Sequence, residues 1–149
     1  MKIEYFLKSF NELSNSELYE ILKLRSEVFV VEQNSIYLDF DGYDQNSLHL
    51  FGKDNDLIVC YGRILPPKLA YNECSIGRIV VKKNYRKYKF GQQLVENLLV
   101  ETQNLYPNQT IKIMAQSYLI HFYKNYGFEI IGDEFIEDTI LHNYMLLKK

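Results

Sequence analysis

Val80-Val81-Lys82-Lys83-Asn84-Tyr85-Arg86-Lys87-Tyr88-Lys89-Phe90-Gly91-Gln92-Gln93 is the stretch on which the reading of this chain turns. Its first residues close an apolar, β-branched run, Ser75 to Lys82, of the kind that fills a central strand. Its last residues open a helical stripe of Leu94, Val95, Leu98, Leu99 and Leu105 that ends near Pro107-Asn108. Between them lies a turn crowded with Lys82, Lys83, Arg86, Lys87 and Lys89. A helix start presents unpaired backbone N–H groups and the positive end of the macrodipole, so cations beside it suit a phosphate or pyrophosphate. Gly91 lets the backbone approach such a ligand. The same letters also fit a solvated lysine-rich turn, and the Gly-x-x-x-x-Gly-Lys-Ser/Thr pattern of nucleotide-binding loops is absent.

Upstream, Lys2 to Lys8 predicts a short strand. Ser14 and Glu17 have capping-box spacing ahead of Leu18, Ile21, Leu22, Arg25, Val28 and Phe29, a helical stripe whose odd member is Arg25. Asn34 to Asn46, with Asp39, Asp41, Gly42, Asp44 and several aromatics, reads as a long loop, and ordered loops of that length are often functional. Ser47 to Lys53 and Leu57 to Leu65 form a hairpin about Asp54-Asn55-Asp56, stopped by Pro66-Pro67. Downstream come a strand at Ile111 to Ala115 and a helix face of Leu119, Phe122, Tyr123 and Tyr126. Gly127 sits at that helix's C-cap, and strands follow at Phe128 to Ile131 and Thr139 to Leu147. The order β-α-β-β-β-α-β-α-β-β predicts an α/β fold in three layers, α/β/α, around a central mixed sheet. The length of 149 residues suits a single domain spanning 1–149.

A net charge of −2 and a sequence pI near 5.9 exclude a broad electrostatic attraction to nucleic acid or anionic lipid, so no nucleic-acid or membrane partner is expected. Lys2, Glu4 and Lys8 interrupt the apolar stretch that a secretory signal needs, and no apolar run approaches membrane-spanning length. Cys60 and Cys74 make no disulfide framework, which makes a reducing cytoplasm the expected location. No His/Cys/Asp cluster has metal-ligand spacing, and no metal is expected.

Two segments carry a family resemblance. Arg86-Lys87-Tyr88-Lys89-Phe90-Gly91 resembles motif A of the GNAT superfamily of N-acetyltransferases, Gln/Arg-x-x-Gly-x-Gly/Ala. Ala115 to Phe128, with Phe122-Tyr123-Lys124-Asn125-Tyr126-Gly127-Phe128, resembles its motif B, a helix ending in Phe-Tyr-x-x-x-Gly-Phe. Arg25, Val28 to Gln33, Asp39, Asp41-Gly42, His49, Gly77-Arg78 and Gly91 to Leu94 are similar to the ElaA-like branch. The departure is Lys89, where the family has glycine. A lysine in left-handed backbone costs roughly 1 kcal/mol or more, so the loop is expected to keep negative φ, with the Lys89 ammonium replacing a lost amide.

The resemblance implies a splayed sheet and acetyl-coenzyme A as cosubstrate. It implies donor-binding roles for Ile79, Val80, Val81, Arg86, Lys87, Lys89, Phe90, Gly91, Gln92 and Gln116. It further implies direct attack by a primary amine, with main-chain N–H groups near Val80 and Val81 polarising the thioester oxygen. Tyr123 then matches the tyrosine that protonates the departing thiolate, although the same residue also lies on an apolar helix face. Glu32 and His49 are the candidate bases, each also explicable as a helix-end carboxylate or a strand imidazole. Arg25 and Arg78 read as ion-pair partners of the loop aspartates.

Asp39, Asp41 and Asp44 around Tyr37, Phe40 and Tyr43 form either an acidic mouth for a cationic small-molecule or peptide amine, or a solvated turn. A monomer or homodimer is expected. The competing functional class is a non-catalytic module that binds or senses acyl-coenzyme A.

Overall fold

The computed structural model describes residues 2–148. Its elements are β1 (Glu4–Ser9), α1 (Asn15–Arg25), β2 (Leu48–Asp54), β3 (Leu57–Leu65), β4 (Cys74–Val81), α2 (Phe90–Leu105), β5 (Ile111–Gln116), α3 (Ile120–Lys124), β6 (Glu129–Glu137) and β7 (Ile140–Leu147). This is the predicted order. The strands form one mixed sheet, β1-β2-β3-β4-β5-β7-β6.

Helix α1 begins where its capping box predicts: Ser14 Oγ accepts the Glu17 N–H at 3.0 Å, and the Glu17 carboxylate accepts the Ser14 N–H at 2.9 Å. The helix does not stop at Arg25 but widens into a π-helical segment, Ser26–Glu32, a distortion that often marks functional positions. Its Ile21, Leu24 and Val28 pack on Phe51, Ile58, Tyr61 and Val80. Register shifts opposite Val59 and at Gly62 break the alternation along β3, so that Val59, Cys60 and Ile64 all join another cluster, where Leu94, Val95 and Leu98 of α2 meet Ile76, Ile113, Tyr123 and Phe128. Helix α2 sits close on β3: a Cβ added at Gly62 would lie 2.5 Å from Leu98 Cδ1. Two cores on the two faces of one sheet give the expected three layers, and each fully buried aliphatic side chain contributes about 1.5–3 kcal/mol.

Gly127 ends α3 at φ 95°, with its N–H donating to the Lys124 carbonyl at 3.0 Å and the Phe128 N–H donating to that of Tyr123 at 3.3 Å. That pair of bonds is a Schellman closure. Strand β6 runs longer than the predicted Phe128 to Ile131. It is an edge strand, broken by a register shift between Ile131 and Phe135 with Gly132 at φ 70°, and its exposed Asp133, Glu134 and Glu137 hide it from an apolar pattern.

The feature that positions the site is a splay. Strands β4 and β5 pair in parallel only at Cys74 with Ile111 and Ser75 with Lys112, then separate. Strand β5 stays paired with β7 over its whole length, from Ile111↔Leu147 to Gln116↔His142. Strand β4 stays paired with β3, apart from a register irregularity between Tyr61 and Arg63. Across that irregularity stands Arg78 at φ 49°, an uncommon and costly conformation for a non-glycine residue. The outer edge of β4, beyond Ser75, is therefore left without a strand partner.

Candidate active site

The splay opens a cleft of about 440 Å³. Ile76 to Val81 of β4 line one wall and Ile113 to Gln116 of β5 the other. Val28, Phe29 and Glu32 of the π-helical segment cover it from one end, while Phe122 and Tyr123 of α3 enter from the motif B helix. Arg86 and Gly91 stand at the mouth beside α2. Of the residues implied by the resemblance, Ile79, Val80, Val81, Arg86, Gly91, Gln116, Glu32 and Tyr123 converge on this one cavity.

Lys89 takes φ 62°, ψ 26°, left-handed after all, which corrects the expectation of negative φ. The reason is geometric: the six-residue 3₁₀ turn Lys83–Tyr88 must reverse direction before Phe90 starts α2, and Lys89 is where the reversal falls. The amides that follow therefore retain the open first turn of a helix, since Gln93 is the residue whose N–H reaches the Lys89 carbonyl, at 3.4 Å. A Cβ built on Gly91 would meet only Val81 Cγ2, at 3.9 Å, so space lies open against this backbone.

Lys87, Lys89, Phe90 and Gln92 do not line the cleft. The Phe90 ring is buried in the α2 core, against Tyr85 and Tyr88, so its backbone N–H is the group it can offer a ligand. Lys87 and Lys89 are exposed, and the Lys87 ammonium lies over the Tyr88 ring.

Tyr123 is 7% exposed, its phenol pKa pushed upward by burial, so it stays protonated across the physiological range. A neutral phenol at the wall of a cleft is a proton donor in waiting. Glu32 lies at the other end, held by both terminal guanidinium nitrogens of Arg86, whose Nε also donates to the Val81 carbonyl at 3.0 Å. The hydrogen bonds from Arg86 hold the Glu32 carboxyl below its ordinary pKa. Such a carboxylate is better suited to steering Arg86 than to taking a proton.

His49 is not brought to the cleft. It faces the interior of β2, with Nδ1 2.6 Å from the Tyr61 hydroxyl and Nε2 2.9 Å from the Asp44 carbonyl, and burial lowers its pKa. Both ring nitrogens are in use, which removes it as a base. His142 does line the cleft, its Nδ1 2.8 Å from the Ile140 carbonyl.

The loop 34–46 is fastened by three arginines. Arg25, fully buried, bonds Asp39 and Asp44 at 2.8 Å each. Arg63 reaches Asp41 at 2.7 Å and Asp44 at 2.9 Å. Arg78 bonds the Asp39 carbonyl at 3.0 Å and Asp41 at 3.2 Å. Three carboxylates against three guanidiniums leave no net charge, so the acidic mouth is corrected to a neutral, mostly buried brace. Burial alone would raise the Asp44 pKa, but hydrogen bonds from Arg25 and Arg63 outweigh it and hold the group low. The pairing of Arg25 and Arg78 with the aspartates is as expected, whereas Arg63 was missed. Its signal was a lone charge inside the apolar run Leu57 to Leu65. The brace also sets Tyr37 at the cleft wall, its hydroxyl donating to Asp39 at 2.8 Å.

The family described as "Acetyltransferase (GNAT) domain" matches residues 11–149. Protein ElaA of Escherichia coli is 40% identical over 134 residues, 89% of this chain and 88% of that protein. A UPF0039 protein of Synechocystis is 39% identical over 149 residues, covering 99% of this chain and 97% of that one. The crystal structure of an acyl-CoA N-acyltransferase from Pseudomonas aeruginosa superposes with a TM-score of 0.93 at 33% identity, over 97% of this chain and 99% of that one. With the splayed sheet, the helix start at Arg86 to Gly91 and the buried Tyr123 in place, these likenesses span the whole fold: the chain belongs to the GNAT acetyltransferase family and is a GNAT-type acyltransferase.

Proposed function

We propose that this chain moves the acetyl group of acetyl-coenzyme A to a primary amine, on a small molecule or a peptide, by direct attack in a ternary complex. One observation carries the reading: a single cleft joins Arg86 and the open first turn of α2 to the phenol of Tyr123. Arg86 and the amides of Phe90, Gly91 and Gln92 hold the diphosphate. The free edge of β4 at Ile79, Val80 and Val81 hydrogen-bonds the pantetheine arm. The N–H of Val80 or Val81 faces the thioester oxygen and stabilises the charge it gains during attack. Tyr123 gives its proton to the departing thiolate. Lys87 and Lys89, outside the cleft, draw the anionic donor at longer range. The free, buried Cys60 and Cys74 suit a reducing cytoplasm.

The test is coenzyme A release from acetyl-coenzyme A across an amine panel. Turnover with at least one amine is expected, lowered about 100-fold in Tyr123→Phe with the donor affinity kept. Binding of acetyl-coenzyme A with no turnover of any amine would overturn the reading in favour of a non-catalytic module.

A further inference from the structure

We propose that His142 is the general base that deprotonates the acceptor amine, a role that rests on the acetyl-transfer reading above. An ammonium has no lone pair, so some group in the cleft must take its first proton. Glu32 is held by Arg86 and His49 lies outside. His142 fits on position, tautomer and access.

Its position follows from the sheet. His142 pairs with Gln116, the last residue of β5, at the end where β4 has already moved away. It is thus at the open part of the splay, in the cleft that Tyr123 also lines. Phe135 of β6 stacks on the imidazole, centroids 6.0 Å apart and planes 21° from parallel, and fixes its plane.

The tautomer follows from the hydrogen bond. The Ile140 carbonyl can only accept, so the Nδ1 facing it at 2.8 Å carries a proton and donates. In the neutral ring Nε2 then holds the lone pair. Access follows from the remaining atom: the residue is 7% exposed, Nε2 has no hydrogen-bond partner among the described residues, and it is not among the buried polar atoms without one. Nε2 is therefore the ring nitrogen left without a partner, on a residue that lines the cleft.

The charges nearby suit the acceptor. Glu137 and Asp138, at the turn between β6 and β7, line the same cavity and are exposed, whereas the three aspartates of the loop are neutralised by arginine. A cationic amine is drawn to the β6–β7 end, toward His142. Tyr118 and Tyr123 line the same cavity, and burial keeps the Tyr123 phenol protonated.

In the step, Nε2 takes one proton from the ammonium and the ring becomes an imidazolium, still donating from Nδ1 to Ile140. The freed nitrogen forms the C–N bond as the C–S bond breaks, and Tyr123 protonates the thiolate. The nitrogen loses its second proton as the amide forms, and both side chains are reset through water. Each turnover yields one amide, one coenzyme A thiol and one proton to solvent.

The experiment compares the wild-type chain with His142→Gln and His142→Asn on two kinds of acceptor. Alkylamines (n-butylamine, spermidine, lysine methyl ester) arrive protonated, while aniline arrives with its lone pair free. The variants should lose about 100-fold or more in kcat on the alkylamine and less than about 5-fold on aniline, with KM for acetyl-coenzyme A unchanged. Added imidazole should restore alkylamine turnover in part. Equal losses on both acceptors, no loss on the alkylamine, or no rescue by imidazole when aniline is not a substrate would overturn the assignment to His142. Nitrogen-15 spectra of the wild-type imidazole give an answer that needs no variant: a neutral ring protonated at Nε2 contradicts it. Failure of the wild-type chain to acetylate any amine overturns the acetyl-transfer reading instead.

Discussion

Glu32 holds Arg86 across the mouth of the cleft: Oε1 lies 2.9 Å from Nη2, and Oε2 accepts from Nη1. The carboxylate comes from the π-helical extension of α1 and the guanidinium from the turn ahead of α2. The motif A arginine is thus paired with an internal anion, with which the diphosphate of the proposed donor would compete. An ion pair this exposed is worth only about 0.2–1 kcal/mol. Glu32→Gln should therefore tighten acetyl-coenzyme A binding by roughly 1.5- to 5-fold, measured by calorimetry. Weaker binding in the variant would mean that Glu32 supports the arginine instead of competing for it.

Arg63 is where stability is most exposed to a single change. It is 4% exposed and bridges Asp41 and Asp44, so its removal takes from each carboxylate one of its two guanidinium partners, leaving Arg78 on Asp41 and Arg25 on Asp44. Arg63→Met should cost about 3–5 kcal/mol in urea unfolding, as breaking a buried pair does. A loss below about 1 kcal/mol would show that water or Arg25 takes over the role.

The same brace sets the response to acid. Asp41 and Asp44 are held below the ordinary aspartate pKa of about 3.9 by their arginines, against the opposing effect of burial. Because the folded pKa is depressed, the unfolded chain binds more protons in this range. The contribution is fully present above the ordinary pKa and is lost as pH falls through the folded values. Urea midpoints taken downward from pH 7 should begin to fall as pH approaches the unfolded aspartate pKa, and less steeply in Arg63→Met. Identical pH profiles for the two proteins would contradict this.

How far the sequence carries the reader varies with the kind of interaction. Element order, the α1 capping box and the Gly127 stop were legible because they rest on local spacing and local hydrogen bonds. The splay was reached through family resemblance, since where two parallel strands part depends on their pairing and leaves no periodic trace. Alternation along β2 puts His49 on the opposite face from its neighbours but does not say which face meets the cleft. His142, four strands from β2 in the sheet order, is placed only by the register of β5 with β7. The brace was half visible: Arg25 broke a helical stripe and drew notice, while Arg63 sat singly in a strand.

Lys89 is the clearest local error, and it makes a prediction of its own. A lysine at φ 62° bears a left-handed cost of about 1–2 kcal/mol, part of which glycine's extra chain entropy would offset. Lys89→Gly should leave the fold unchanged and raise stability by up to about 1 kcal/mol in urea unfolding. Destabilisation would show that the lysine makes a compensating contact.

The proposed hold of Arg86 and the first turn of α2 on the donor's diphosphate sets the affinity for acetyl-coenzyme A. Titration of acetyl-coenzyme A into wild type and Arg86→Ala, with circular dichroism to confirm both folded, tests it most directly. One site per chain is expected, with affinity that falls with added salt and a loss of about 10-fold or more in the variant. Equal affinity in the two proteins, or no binding by the folded wild type, would contradict it.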